Sequence, residues 1–145
     1  MKITIPVQVM AEIQTHGEKL YPEEGAGLIL GSIEDEIREA RRVLPMPNYF
    51  DSNERERRYR LDPREILQAE ELAEQLGLEV IGVFHSHPDH PPAPSQYDLE
   101  WAVPWYLYLI TSIEGGTASE SRVWRMLEDH SSMVEEVLDI KEGES

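Results

Sequence analysis

The stretch Leu78–Asp98, L-E-V-I-G-V-F-H-S-H-P-D-H-P-P-A-P-S-Q-Y-D, decides how the rest of the chain is read. Val80, Ile81, Val83 and Phe84 form a β-branched and aromatic run suited to a central strand. Residues i and i+2 of a strand share a face, so His85 and His87 point one way and Ser86 the other. Two imidazoles at that spacing reach one metal ion without distorting the backbone. Pro88 has no N–H to offer a neighbour and stops the strand, and Pro91, Pro92 and Pro94 stiffen the loop beyond it. Ser95-Gln96-Tyr97-Asp98 is an S-x-x-D helix start ahead of Leu99, Trp101 and Ala102. Ten residues separate His87 from Asp98, and a stiff loop can fold the carboxylate back toward the imidazoles as a third donor.

Three protein ligands with an open fourth position is the pattern of a catalytic zinc site, whereas a structural site closes with four. The chain has no Cys, so a thiolate site is excluded, and an imidazole-containing set suits zinc better than magnesium or calcium. The expectation is one Zn2+ per chain on His85, His87 and Asp98. The alternative is a pair of solvated histidines at a strand end, with Asp98 serving only its helix cap.

At 145 residues the chain is read as one domain over residues 1–140, large enough to bury a core, with a polar tail at 141–145. No run of 18 apolar residues and no leader pattern at the start suggests a membrane span or secretion signal. With the lack of Cys, this points to a cytoplasmic protein. Thirteen basic against 29 acidic residues give a net charge of −16. Such a chain is a poor nucleic-acid binder. The charge either attracts a basic partner or keeps the surface hydrated in a high-salt cytoplasm.

Upstream, Lys2–Ile5 reads as a short edge strand, and Pro6 as the first turn of a helix that stops at Gly17. His16 falls at that helix end and reads as solvated. Leu28–Ser32 is a buried strand flanked by glycines, with Glu24 just ahead of it. By its residues alone the Glu23-Glu24 pair is solvated, although a carboxylate there can enter a cleft beside the His85 strand. A solvent-facing hairpin turns at Glu34-Asp35. Met46–Tyr59, rich in Pro and Arg, is a long mixed-charge loop near the site. Asp62-Pro63-Arg64-Glu65 opens a helix with Ile66, Leu67, Ala69, Leu72, Ala73 and Leu76 on its apolar face and Gly77 at its end. After Asp98 come a helix ended by Pro104, a strand over Trp105–Ile113, a hairpin at Glu114–Thr117, a strand over Ser121–Leu127, a turn holding a solvated His130, and a last edge strand over Met133–Ile140.

These residues resemble the JAMM (MPN-type) family of zinc metallopeptidases, in particular its small single-domain prokaryotic members. The family motif is an upstream Glu, then H-[ST]-H-P, then S-x-x-D; here it is met by Glu24, His85-Ser86-His87-Pro88 and Ser95-Gln96-Tyr97-Asp98. The likeness extends through Pro22-Glu23-Glu24, Gly27–Gly31, Pro47-Asn48, Tyr59–Pro63, Trp105–Ile110 and Val123–Arg125, nearly the whole chain. It implies an α/β (α+β) fold, a central mixed, curved sheet flanked by helices. It also implies a role for each residue. His85, His87 and Asp98 hold the zinc, Glu24 is general base and proton carrier, and Ser95 stabilises the oxyanion. If Asp98 binds metal, its carboxylate is less free to complete the cap with Ser95.

Ala26 stands where many relatives carry Cys, and the extra His90 reads as a surface residue or as a substrate or second metal contact. The long insertions of eukaryotic deubiquitinases are lacking, so linkage-specific cleavage of polyubiquitin is not expected. The resemblance implies a peptidase or isopeptidase cutting after the C-terminal Gly-Gly of a ubiquitin-like sulfur-carrier protein or its conjugates. A tail without side chains threads a narrow groove. A homodimer is compatible with this reading. The alternative is a non-catalytic MPN-type scaffold or protein-binding module; the presence of all five motif positions speaks against it. A zinc deaminase would need P-C-x-x-C, which is missing.

Overall fold

The computed structural model describes residues 1–142. In order the elements are β1 (Lys2–Pro6), α1 (Val7–Leu20), β2 (Ala26–Glu34), β3 (Ile37–Met46), α2 (Pro63–Gln75), β4 (Glu79–Pro88), α3 (Gln96–Trp101), β5 (Leu107–Glu114), β6 (Thr117–Met126) and β7 (Met133–Lys141). The strands follow the order β1-β3-β2-β4-β5-β6-β7 and close into a barrel. The sheet is mixed: β4 runs antiparallel to β2 and parallel to β5, and β1 is parallel to both β3 and β7. The expected α/β architecture with a mixed, curved sheet is therefore present.

The two strands read as edges are not edges. β1 and β7 pair with each other from Lys2↔Val137 to Pro6↔Lys141, which closes the sheet. The pairing joins residues more than 130 positions apart, so neither strand's own pattern announces it. Lys141 belongs to β7 rather than to the polar tail, whose residues 143–145 lie outside the described residues.

Two apolar layers sandwich the sheet. Val9, Met10 and Ile13 of α1 pack on Ile3, Ile29, Ile81, Phe84 and Leu109. On the other face Ala69 of α2 and Ala102 beyond α3 pack with Leu28, Val83 and Tyr108. The helix α1 does not stop at Gly17 but continues to Leu20. Gly17 is buried because it is the point of closest approach: a Cβ there would lie 2.9 Å from Ile113 and 3.2 Å from Ser86. His16 is accordingly half-buried and not fully solvated. Its ring sits edge-on to Phe84 with centroids 6.0 Å apart, and burial lowers its pKa, with Lys19 adding to the effect.

Helix α2 starts as expected, with Asp62 accepting from the Arg64 N–H at 2.9 Å and Pro63 in the first turn. Its apolar face is narrower than the sequence pattern. Ala69 and Ala73 are buried, while Leu67 and Leu76 stay in solvent. Gly77 ends it at φ 72°, a conformation that only glycine adopts freely.

Strand β4 is central and carries one irregularity. Ile29 pairs with Gly82 but Leu30 with Val80, so Ile81 is an extra, bulged residue. The bulge shifts the side-chain phase. Beyond it Val83 joins the α2–α3 layer and Phe84 the α1 layer. It is this phase that turns His85 and His87 toward α3.

Candidate metal centre

His85 and His87 end β4 on one face, as their spacing requires, and both are buried. Asp98 enters from the first turn of α3. The Nε2 atoms of the two imidazoles are 3.1 Å apart, and Asp98 Oδ2 is 3.3 Å from His85 Nε2 and 3.1 Å from His87 Nε2. These three atoms form a nearly equilateral triangle. Four donors set tetrahedrally about 2.0–2.1 Å from a zinc ion lie about 3.3–3.4 Å from one another, so the triangle is close to one face of such a tetrahedron.

The chemistry of the donors agrees. His87 Nδ1 donates to the Pro91 carbonyl at 2.9 Å. A carbonyl only accepts, so in the neutral ring Nε2 is left with its lone pair facing the Asp98 oxygen. Two acceptors converging at 3.1 Å in a buried site call for a cation between them. His85 is stacked on Tyr59, centroids 4.4 Å apart, and burial lowers its pKa despite the opposing pull of Asp98. Burial works against ionisation of Asp98. The two neighbouring imidazoles, His85 foremost, and the bond from the Ser95 N–H outweigh it, and the carboxyl is held well below its usual range.

The cap and the donor role do not compete. Ser95 N donates to Asp98 Oδ2 at 2.9 Å, and Ser95 Oγ accepts from Asp98 N at 3.1 Å, a complete capping box. The oxygen that closes the box is the one that faces the histidines, so α3's own N-terminus fixes the angle of the carboxylate. Ser95 Oγ spends a lone pair on this bond and keeps its hydrogen free for the cleft.

Glu24 reaches the same place from the segment before β2. Its ligand-type oxygen and the imidazole nitrogens lie within 4.8 Å of one another, a looser grouping than the His85–His87–Asp98 triangle. The side chain is 5% exposed, and Oε1 is buried with no hydrogen-bond partner. Burial, with the Asp98 charge adding to it, pushes its pKa up to about 9 in the absence of a cation. A dication beside it would favour the carboxylate instead.

Two residues that are not candidate metal donors, Ser86 of the motif and Asn48, hold the Glu24 segment there. Ser86, on the α1 side of β4, accepts from Gly25 N at 2.8 Å while its own N–H donates to Gly25 O at 2.9 Å. Asn48 is buried and uses its full capacity. It donates to the Glu24 and Arg58 carbonyls at 3.1 and 2.9 Å and accepts from the Phe50 and Arg60 N–H groups at 3.0 and 3.2 Å. Neither residue carries a local pattern that announces this role. The Met46–Tyr59 loop is thus at the site, as expected. The strap from Asp89 to Pro92 is anchored just as closely. Gly115 N donates to Asp89 Oδ1, Ser112 Oγ to His90 O, and Trp124 Nε1 to Pro92 O. Between loop and strap opens a cleft of about 350 Å³, lined by Glu24, Arg57, His87, His90, Ala93 and Ser95. His90 is exposed at its lip, and His130 is exposed far along the chain.

The family described as prokaryotic homologs of the JAB domain matches residues 6–127. The chain belongs to this family. A protein of Thermus thermophilus named as a probable TtuB-protein conjugate cleaving protease is 34% identical to this chain over 107 residues, 72% of this chain and 68% of that protein. A desampylase of Pyrococcus furiosus is 44% identical over 71 residues, 48% of each chain. The matched segment is therefore about two thirds of the first relative and less than half of the second. A solution structure from Desulfitobacterium hafniense covers 97% of this chain and 94% of its own, with 31% identity and a TM-score of 0.85. The crystal structure of a JAB1/MPN domain protein from Archaeoglobus fulgidus shares the fold at 18% identity, TM-score 0.59, covering 98% of this chain and all of that one (100%).

Proposed function

We propose that this JAB domain is a zinc-dependent peptidase or isopeptidase that hydrolyses the bond after the C-terminal Gly-Gly of a ubiquitin-like sulfur-carrier protein. The single observation that carries the chemistry is the His85–His87–Asp98 triangle with the unpartnered Glu24 carboxyl beside it. Relatives named for cleaving ubiquitin-like conjugates support the substrate class. His85, His87 and Asp98 hold the metal. Bound zinc supplies a Lewis acid that makes water nucleophilic near neutral pH and polarises the scissile carbonyl.

The chain's own residues do the rest. Glu24 takes the proton of the attacking water on its free carboxylate oxygen and delivers it to the leaving nitrogen, an acid/base contribution of about 10²–10⁴-fold. Its burial keeps that proton from being lost to solvent. The free Ser95 hydroxyl hydrogen stabilises charge developing on the carbonyl oxygen. His87 is kept in the productive tautomer by Pro91 O. No helix among the described residues is long and apolar enough to cross a membrane, and the lack of Cys supports a cytoplasmic setting.

The test is elemental analysis together with an assay on a carrier conjugate. The wild type should bind close to one zinc per chain. Glu24→Gln should keep the zinc and lose turnover by about 10²–10⁴-fold. Zinc near zero with no uptake from added metal would overturn the hydrolase reading, and full activity in Glu24→Gln would overturn the assigned base.

A further inference from the structure

The net charge hides a local exception. Residues 55–64 hold five of the 13 basic residues and two of the 29 acidic ones, so this segment is net +3 while the rest of the chain is net −19. Arg57 and Arg64 pair with Glu54 and Asp62. Arg58 and Arg60, both exposed, have no carboxylate within 4.0 Å among the described residues. Each guanidinium instead lies over an aromatic ring. Arg58 is 5.5 Å from the centre of Tyr97, and Arg60 is 4.9 Å from that of Phe50. Such stacking fixes the direction of a cation while leaving its N–H groups free.

Beside these arginines runs a groove of about 490 Å³, lined by Tyr49, Tyr59, Arg60, Tyr97, Trp101 and Tyr106 among others. It lies against the candidate metal centre: Tyr59, on its wall, stacks on His85. It opens outward at Tyr49 and Trp101, which are 56% and 64% exposed. Exposed aromatics contiguous with a cleft mark a surface that is completed by another molecule. Charges farther away than about 8 Å are screened at physiological salt, so the charges beside the groove, Arg58 and Arg60 over Tyr97 and Phe50 and Glu70 near Tyr106, count for more here than the overall −16.

We propose that this groove receives the carrier side of the substrate through an apolar patch bordered by carboxylates. The global charge would select a basic partner; this face selects an acidic one. The inference rests on the hydrolase reading for the direction of the tail, but binding can be measured without turnover.

Two peptides test it with the zinc-loaded protein: acetyl-Glu-Phe-Gly-Gly on aminomethylcoumarin, and the same probe with Lys in place of Glu. The acidic probe should have the higher kcat/KM by about tenfold at low salt, carried by KM and shrinking as salt rises. The double variant Arg58→Glu, Arg60→Glu should invert the preference with zinc content unchanged. Trp101→Ala should weaken both probes alike. Equal kcat/KM for the two probes, or a preference that survives in the double variant, would overturn the proposal. If neither probe is cleaved, the hydrolase reading fails on its own. Fluorescence anisotropy of a labelled acidic peptide then decides: binding lost in the double variant upholds the groove, and no binding to the wild type overturns it.

Discussion

The two halves of the site are built by different means. His85, His87 and Asp98 come from a single stretch of strand, stiff loop and capped helix, and each is fixed by its immediate neighbours: strand pairing, the Pro91 carbonyl, the Ser95 cap. Glu24 comes from far upstream; its backbone is held by Asn48 and the Arg55 carbonyl, and that of the adjacent Gly25 by Ser86. The proposed metal triangle can be specified locally because it needs only short-range spacing. The proposed general base must be brought up to it by the tertiary fold. Damage to the first half should therefore abolish metal binding, and damage to the second should misplace a proton acceptor while leaving the metal in place.

The largest effect is expected from the triangle itself. His87→Ala should drop zinc from close to one equivalent to near zero and take turnover to background. Asp98→Ala should do the same and also weaken α3, since Ser95 N and Asp98 Oδ2 lose their bond; loss of such a cap costs about 1 kcal/mol. Elemental analysis of both variants checks this. Full zinc occupancy in either would remove that residue from the donor set and break the contrast between the halves.

A smaller effect is expected at the supports of Glu24. Ser86→Ala leaves Gly25 N without its acceptor, and Asn48→Ala frees four groups of the loop at once. Each should keep its zinc and lower kcat by about tenfold, because small displacements of a catalytic group are costly. Asn48→Ala should also destabilise the fold by about 1–3 kcal/mol through the buried groups left unpaired. A variant that lost zinc along with kcat would show that the two halves are coupled.

The same division explains what is legible in the sequence. The H-x-H face, the S-x-x-D cap and the Asp62 helix start are local patterns, and each appears in the structure where its spacing puts it. Glu24 stands out only through family resemblance, since nothing in an acidic pair before a strand says that it will be buried. The Ile81 bulge, the pairing of β1 with β7 and the close contact at Gly17 all depend on partners distant in the chain. Gly17 in particular reads as a helix stop on propensity, and is instead retained inside a helix because Ser86 and Ile113 leave no room for a side chain. His16 reads as solvated for the same reason: Phe84 displaces its solvent, and no local pattern reveals that contact.

The smallest effect separates the halves by pH. In protein stripped of metal, Glu24 has a pKa of about 9 against 4.5 when unfolded. Between those values the folded chain binds more protons than the unfolded one, so stability falls as pH rises. His85 and His16, both with lowered values, act in the opposite direction, but only below their ordinary 6.5, and the lowered Asp98 contributes a constant amount above 3.8. From about pH 7 to 9 Glu24 therefore sets the slope. The Tm of chelator-treated protein should decline across that window, and Glu24→Gln should flatten the decline. Added zinc should flatten it as well, because a neighbouring dication lets the buried carboxylate ionise without penalty. A decline that persists in Glu24→Gln would place its source outside the site. A decline that vanishes in the variant but persists with zinc would mean that the metal sits too far from Glu24 for the carboxylate to serve as its base.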